Sequence, residues 1–510
     1  MRGQAPIGWL VGIVVAGVAV GVGELVAAFV RPAAAPVIVV GNRLITLTPE
    51  SVRRGAIQSV GTSDKTLLIA GIYVLLAVFG ALVGAAAMRR LASGVVGVLV
   101  VGAFGVYCAL TAIGSRATDI IPTLAGTAAA IVALIALVPA ARAYVDSAEP
   151  AQAGPARRRF LQGTVATAGL AAVAGFGGQA WAATRFSAAA DRAHAAFPRG
   201  ARKPVAPPGA DLHESGVPWV TPNPRFYRID TALEVPQLPH VEWQLKIHGM
   251  VDKPMILTYG DLIKRPLVDH WITLCCVSNP VGGPLISNAL FRGALLAELL
   301  REAGIHAESD QLLMTSVDGM TIGAPAKVVL DGRPALLAIG MNGAPLPIEH
   351  GYPVRVVVPG LYGYVSACKW IVDIEATMFQ DRQAFWVRQG WQAEPPIRLE
   401  SRIDRPRPGA VVRARTVVPI AGVAWDQHVG VSKVEVQVND RPWQRARLAA
   451  VPSTDTWRQW VLPWTPPRTG TYALRVRAYD AKGRPQSPVP RNPFPAGATG
   501  YHTINVSAGA

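Results

Sequence analysis

The chain has 510 residues, 49 Lys and Arg against 33 Asp and Glu, a formal net charge of +16, and 51% hydrophobic residues. Its mean hydropathy of +0.29 is high for a soluble protein. Four cysteines cannot build a disulfide framework for a chain this long, and with no basic stripe, zinc spacing or aromatic platform the positive charge does not read as a nucleic-acid surface. The excess of apolar residues lies before residue 185. The charge fits membrane flanks, or else a cationic funnel for an oxyanion substrate.

Four apolar stretches come first, Ile7–Val30, Leu67–Met88, Gly94–Ile113 and Ile120–Ala140. Each is close to the roughly 20 residues that cross a bilayer, so residues 1–145 are predicted to be a four-helix transmembrane domain. Arg2 precedes the first stretch, Arg89 and Arg90 separate the second from the third, and Arg142 follows the fourth. The positive-inside rule places those ends in the cytoplasm and the 31–66 loop outside, against the sign of Arg31, Arg43, Arg53, Arg54 and Lys65 in that loop. Glu24 inside the first stretch is a functional candidate by default, although its place near the outer end also lets it reach the interface. No histidine occurs before His194, so these helices are not expected to hold a haem between two histidines. Cys108 reads as a small buried hydrophobe.

Residues 146–185 carry Arg157-Arg158-Arg159-Phe160-Leu161 ahead of a Gly- and Ala-rich apolar run. The pattern fits a twin-arginine export signal. An ordinary fifth transmembrane helix is the competing reading, and an uncleaved signal is both at once. Ala180 and Ala182 form an A-x-A cleavage pattern. Twin-arginine export carries folded, often cofactor-loaded proteins, so the chain after residue 185 is expected on the extracytoplasmic side of the cell membrane. Residues 186–210 are polar and Pro-rich and read as a linker.

Residues 211–403 read as α+β. Short apolar runs such as WQLKIHGM alternate with turn signals, and LFRGALLAELLREAGI places Leu290, Leu295, Leu296, Leu299 and Leu300 at helical spacing with Gly304 as a C-cap. From 404 to 510, GVSKVEVQVND, QWVLPW and TYALRVRAYD alternate at period two between turns, which predicts an immunoglobulin-like β-sandwich. Trp425, Trp443, Trp457, Trp460 and Trp464 are expected in its core or an interface rather than on a sugar-binding face.

ITLCCVSNPVGG, Ile272 to Gly283, places two adjacent cysteines after a strand-like run. A thiolate there suits a soft or high-valent metal. Neither C-x-x-C nor H-x-x-x-H spacing is present, so the pair does not read as closed zinc coordination. A strained vicinal disulfide and a pair of buried structural cysteines remain the alternatives on spacing alone.

Residues 205–510 resemble the sulfite oxidase family of molybdenum enzymes. Thr273-Leu274-Cys275-Cys276-Val277-Ser278-Asn279 is similar to the family's T-L-x-C-x-x-N, and FRGALLAELL, MNGAPLPIEHGYPVRVVVPG (Met341–Gly360) and YGYVSACKW resemble the segments that follow. The resemblance implies a molybdenum-molybdopterin cofactor with Cys276 as the metal ligand. It implies His350, Arg355, Ser366 and Lys369 as contacts to the pterin and its phosphate, groups whose donors suit an anion. NPRFYRID points to Asn223, Tyr227 and Arg228 as further contacts, and Tyr227, with Tyr364 of YGYVSACKW, is a candidate residue of the catalytic pocket. The C-terminal sandwich resembles the family's dimerisation domain, which implies a homodimer.

The sulfite-oxidising members carry an Arg-rich stretch after the ligand, where this chain has Pro280, Val281 and Gly282, and Gly363-Tyr364-Val365 stands where a further Arg is found. These departures count against sulfite. The resemblance therefore implies a membrane-anchored molybdopterin oxidoreductase performing two-electron oxygen-atom transfer on another small substrate. Electrons would be exchanged with a separate cytochrome or quinone-linked partner. The alternatives are a reductase of sulfoxides or oxidised methionine fed by a quinol partner, and a tethered binding module that has lost the cofactor.

Overall fold

The computed structural model describes residues 4–48, 52, 64–146, 150–198, 203–213 and 216–510; Arg2, Arg53 and Arg54 lie outside them. The chain divides into two compact units, Met1–Ser187 with Thr231–Gln237, and Ala188–Asp230 with Leu238–Ala510.

The first unit is helical: α1 (Gln4–Val30), α2 (Pro36–Leu47), α3 (Asp64–Arg89), α4 (Leu91–Thr111), α5 (Ile120–Asp146) and α6 (Pro150–Arg185). Five of its helices are long and apolar enough to cross a membrane, the fifth running through the Arg157–Arg159 segment. α1 packs against α3, α5 and α6. Small residues permit this. Gly8 and Gly12 of α1 face Gly80 and Gly84 of α3 so closely that a Cβ on Gly12 would fall on the carbonyl oxygen of Gly80, and one on Gly84 on that of Gly8. In a bilayer, whose lipid chains are as apolar as these helices, such backbone approach would supply the packing that water exclusion supplies elsewhere.

The 31–66 segment is not simply a loop, since α2 occupies part of it. Arg31, Arg43 and Lys65 in it are also engaged. Arg31 pairs with buried Asp119, Nε to Oδ1 at 2.7 Å, and Arg43 donates to Tyr107 at 3.0 Å. Lys65 donates to the Ala232 carbonyl at 2.6 Å, and Leu233 lies against Gly41, so the short strap 231–237 is fastened to this helical unit.

The second unit begins with a correction. Residues 186–210 read as a linker, yet Ala189–His194 forms a helix. Arg192 there donates to the carbonyls of Leu346 and Pro345 at 2.6 and 2.7 Å, and Asp191 accepts from Tyr352 at 2.6 Å. Two sheets follow. The first has the order β2 (Met255–Thr258), β1 (Gln244–Gly249), β10 (Ile371–Thr377), β5 (Gln311–Ser316), β6 (Thr321–Pro325). The second runs β3 (Leu267–Cys275), β4 (Ile286–Leu295), β7 (Leu336–Met341), β8 (Ala344–Pro345), with β9 (Arg355–Val357) also on β7.

The helix expected over 290–304 is only half realised. Ile286–Leu295 is strand, held between β3 and β7, and helix covers Leu296–Glu302 with Gly304 at φ +67° beyond its end. Strand pairing on both edges overrides the local helical period there.

The C-terminal part is a two-sheet β-sandwich. One sheet joins β11 (Glu400–Arg405), β13 (Val418–Trp425), β17 (Arg458–Trp464) and β16 (Arg447–Leu448); the other joins β12 (Val411–Arg413), β19 (His502–Gly509), β18 (Gly470–Asp480), β14 (Val431–Val438) and β15 (Gln444–Arg445). Trp425, Trp457, Trp460 and Trp464 are buried.

Gly12→Leu is expected to push α1 from α3 and to destabilise the detergent-solubilised protein by about 1–3 kcal/mol. A thermal melt reads this, and an unchanged midpoint would show that the glycine contact is not tight.

Candidate functional site

β3 ends at Cys275 and the chain turns out of the sheet at Cys276. The Cys276 amide donates to Leu285 O at 3.0 Å, the Asn279 amide donates to Cys276 O at 3.0 Å, and Asn279 Oδ1 accepts from the Leu285 amide at 2.8 Å. The loop 276–285 is thus closed on itself. Cys276 is 9% exposed. Burial raises its thiol pKa, opposed by hydrogen bonds from Ser278, so the sulfur stays protonated until a metal displaces the proton. Both cysteines are free thiols, so no vicinal disulfide forms. Cys275 packs in a core with Trp271, Tyr362 and Trp391, and its thiol is held far above the usual range by burial and by nearby Glu400.

Tyr227 is brought to the same place by the loop after the short turn Asn223–Arg225, where its amide donates to Ser287 Oγ at 3.1 Å. Its hydroxyl lies 3.5 Å, and Cys275 O 3.8 Å, from the point a Cβ on Gly363 would occupy. Burial, then the neighbouring Cys276 and Cys275, keep the phenol protonated well above its ordinary value, with Arg355 opposing.

The second wall comes from the Ile348–His350 turn and from β9. Gly351 at φ +108° makes the bend, and a Cβ there would sit 3.1 Å from Arg355 Cβ and from Lys369 Cα. Glycine is required twice, for the backbone and for the space. The Arg355 guanidinium is buried and donates to His350 O at 3.0 Å and Ala367 O at 3.5 Å. Its Nε has no partner. Burial lowers its pKa to about 10, so it remains a cation.

His350 is pushed down to about 3 by burial, then by Arg355 and Lys369, and is therefore neutral. Its ring is hydrogen-bonded to the backbone of Asn223 and packs edge-on against Phe226 at 5.3 Å. Asn223 itself accepts from Asn342 Nδ2 at 2.7 Å. Lys369 Nζ donates to Asp230 at 2.9 Å and to Glu349 O at 3.1 Å, and Arg228 pairs with the same Asp230 oxygen at 2.9 Å.

The structure thus gathers Cys276, Tyr227, Asn223, Arg228, His350, Arg355 and Lys369 around one locus. Ser366 is fully buried, and its hydroxyl donates to Leu361 O and Tyr362 O at 3.2 and 3.0 Å, so it braces the segment. Tyr364 donates to Gln392 O and packs against Trp391 at 5.7 Å.

Asp230 and Glu400 were not legible as site residues. The R-x-D spacing of Arg228 and Asp230 is a weak signal that could have found the first. No local pattern marks the second. Arg228 and Lys369 share the single carboxylate of Asp230, while buried Arg355 donates to backbone carbonyls and has an unpartnered N–H, with a buried thiol nearby. That donor set fits an anionic group carrying a thiolate-binding metal.

Comparison with known proteins agrees. Residues 232–386 match the family model described as oxidoreductase molybdopterin binding domain, and residues 400–476 match a bacterial Ig domain. The uncharacterized oxidoreductase YuiH of Bacillus subtilis is 31% identical over 176 residues, which cover 34% of this chain and 85% of that protein. The mitochondrial sulfite oxidase of Mus musculus is 30% identical over 294 residues, 48% of this chain and 53% of that one. The chain thus spans about half the length of the animal sulfite oxidase it matches. The NADPH nitrate reductase of Emericella nidulans is 29% identical over 34% of this chain and 22% of its own. Among solved structures the sulfane dehydrogenase SoxCD of Paracoccus pantotrophus shares the fold, with a TM-score of 0.50 and 22% identity over 60% of this chain and 86% of that chain.

Burial chiefly lowers Lys369 from 10.5 to about 8. Between those values the folded chain binds fewer protons than the unfolded one, so this group makes stability rise with pH across the window. The locus loses a cation over the same window. Compared with Lys369→Met, cofactor-free wild type is expected to gain stability from pH 8 to 10.5, while pterin retention falls. Denaturant unfolding and pterin release against pH check the two slopes, and parallel curves for both proteins would contradict them.

Proposed function

We propose a function for a chain that belongs to the sulfite oxidase family of molybdopterin-binding oxidoreductases: two-electron oxygen-atom transfer on a small uncharged substrate, at a membrane-anchored site held outside the cytoplasm. The observation that carries this reading is the uneven placement of cations about Cys276. Arg228, Arg355 and Lys369 gather where the pterin and its phosphate would bind. The loop Val277–Leu285 carries no charged residue. The sandwich cation that reaches this loop, Arg402, donates to Gly283 O at 2.8 Å and is paired with Asp404 at 2.8 Å. A sulfite or nitrate anion would find little to answer its charge there, which is why sulfite is disfavoured.

When bound, the molybdenum–molybdopterin group supplies the two-electron redox change and the exchangeable oxygen. The chain's part is to hold and tune it. Cys276 would ligate the metal through Sγ after losing its proton. Arg355 and Lys369 would hold the phosphate, while neutral His350 and Asn223 orient the pterin. The Tyr227 hydroxyl, which keeps its proton at any physiological pH, would donate a hydrogen bond to an oxygen at the locus. In the reducing direction the same donor suits the oxygen of a sulfoxide, which favours a sulfoxide or methionine-sulfoxide reductase as the second reading. A tethered module without the cofactor fits the locus poorly, because the buried Arg355 Nε–H would stay without a partner.

The five apolar helices and the Arg157–Arg159 pattern support the anchored, exported placement. Electron exchange with a partner and pairing through the sandwich belong to the same proposal.

The full chain should be produced in a host that makes molybdopterin and assayed for molybdenum and pterin per chain, and for turnover of sulfoxides with reduced viologen and of sulfite with ferricyanide. Wild type is expected near one molybdenum per chain, with sulfoxide turnover well above sulfite turnover. Tyr227→Phe is expected to keep the metal and lose turnover by roughly tenfold or more. An empty wild type would contradict the cofactor reading, and efficient sulfite oxidation would contradict the substrate reading.

A further inference from the structure

Glu24 is a carboxylate within the membrane-crossing part of α1, yet it is only 8% exposed. A charge at such a depth is costly and needs a partner. Asp119, also buried, has Arg31. Glu24 instead meets a neutral group, the side-chain amide of Gln179 on α6. The same amide is hydrogen-bonded to Tyr73 on α3. The strap 231–237 brings in Glu234, close enough for its charge to act against that of Glu24. Four separate segments therefore converge on one polar cluster.

Close backbone packing fixes the floor of this cluster. Gly178, next to Gln179, backs onto α1 so closely that a Cβ would be 2.7 Å from Leu25 Cα and 3.1 Å from the Glu24 carbonyl carbon. α3 and α6 each pack on α1 and flank it. The flanking residues reach the surface of this unit, Tyr73 being 41% exposed and Phe176 76% exposed. A few residues further along α1 and α6, Phe29 and Trp181 meet edge to face at 4.3 Å. Burial, with the Glu24 charge, raises Glu234 to about 7, so this carboxyl exchanges protons near neutrality.

We propose that Glu24, Tyr73, Gln179 and Glu234 form a binding site for the ring of a membrane-soluble quinone or hydroquinone, entered from the lipid between α3 and α6. Such a ligand brings its own apolar tail. Its flat ring suits aromatic edges, and its oxygens donate to a carboxylate when reduced and accept from a phenol or amide when oxidised. A metal ion is a poorer match, because no group of at least three acidic, His or Cys side chains is clustered among the described residues. The helices also lack histidines to hold a haem, which leaves a diffusible carrier as the natural two-electron partner inside the bilayer. The inference is one of binding. It deepens the oxidoreductase reading above, in that the carrier is taken up by this chain itself, and Glu234 follows Asp230 of the cofactor locus by only four residues in the sequence.

The test titrates decylubiquinone into the full chain in lipid nanodiscs, with empty nanodiscs subtracted, and measures molybdenum on the same sample. Saturable binding of one molecule per chain is expected. Glu24→Gln and Gln179→Leu should each weaken it by about tenfold or more, whereas Val100→Ala, on the lipid face of α4, should bind as wild type. Tyr73→Phe serves in place of either polar variant that fails to elute as a folded species. Wild type that behaves as empty nanodiscs, or polar variants that bind as wild type, would overturn the site. Saturable binding by a chain without molybdenum would keep the site and overturn the oxidoreductase reading instead. A molybdenum-loaded chain with no saturable binding would do the reverse.

Discussion

Burial of positive charge beside a buried thiol is the constraint on which the catalytic unit depends. Arg355 and Lys369 are withdrawn from water, and one carboxylate, Asp230, answers Lys369 and Arg228 together. Taking such cations out of water costs several kcal/mol each unless an anion meets them. The Arg355 Nε–H left without a partner adds to that cost. A locus arranged in this way is poised for an anionic ligand, and the protonated sulfur of Cys276 beside it is poised for a metal. His350 is neutral first through its own burial and then through the cations beside it, and the loop after Cys276 carries no charge to balance them.

The β-sandwich is tied into this arrangement rather than appended to it. The Thr273 amide, three residues before Cys276, donates to Asp455 O at 3.0 Å, and the Trp457 amide donates to Thr273 Oγ1 at 2.8 Å. Asp455 also bridges His270 and His428 at 3.0 and 3.1 Å. On the far side of Cys276, Arg402 grips Gly283 O, and the His502 ring lies where a Cβ on Gly282 would be. The strand that delivers Cys276 and the loop that follows it are therefore fixed from both ends by sandwich residues. The position of Cys276 and the sandwich should respond to damage together.

Much of this was legible in the sequence, for identifiable reasons. The long apolar helices announce themselves by length and hydropathy, and the sandwich by alternation, since both signals are local. Cys276, His350, Arg355 and Lys369 stand out in the sequence because they lie in contiguous motifs. Ile286–Leu295 was misread because its leucines satisfy a helical period, whereas its partners in β3 and β7 lie elsewhere in the chain. Residues 186–210 were misread because proline and polar composition cannot reveal that Asp191 and Arg192 dock on residues more than a hundred positions away. Asp230, Glu400 and the Glu24–Gln179–Tyr73 cluster were invisible for the same reason, their meaning being created by tertiary contact alone.

The central claim is that Cys276, and not its neighbour, delivers the protein sulfur to the metal. X-ray absorption at the molybdenum edge, on wild type, Cys275→Ser and Cys276→Ser, counts sulfur ligands directly. Wild type and Cys275→Ser should give the same sulfur shell, with Cys276→Ser one sulfur short or empty of metal. A sulfur count lowered by Cys275→Ser and unchanged in Cys276→Ser would contradict the account.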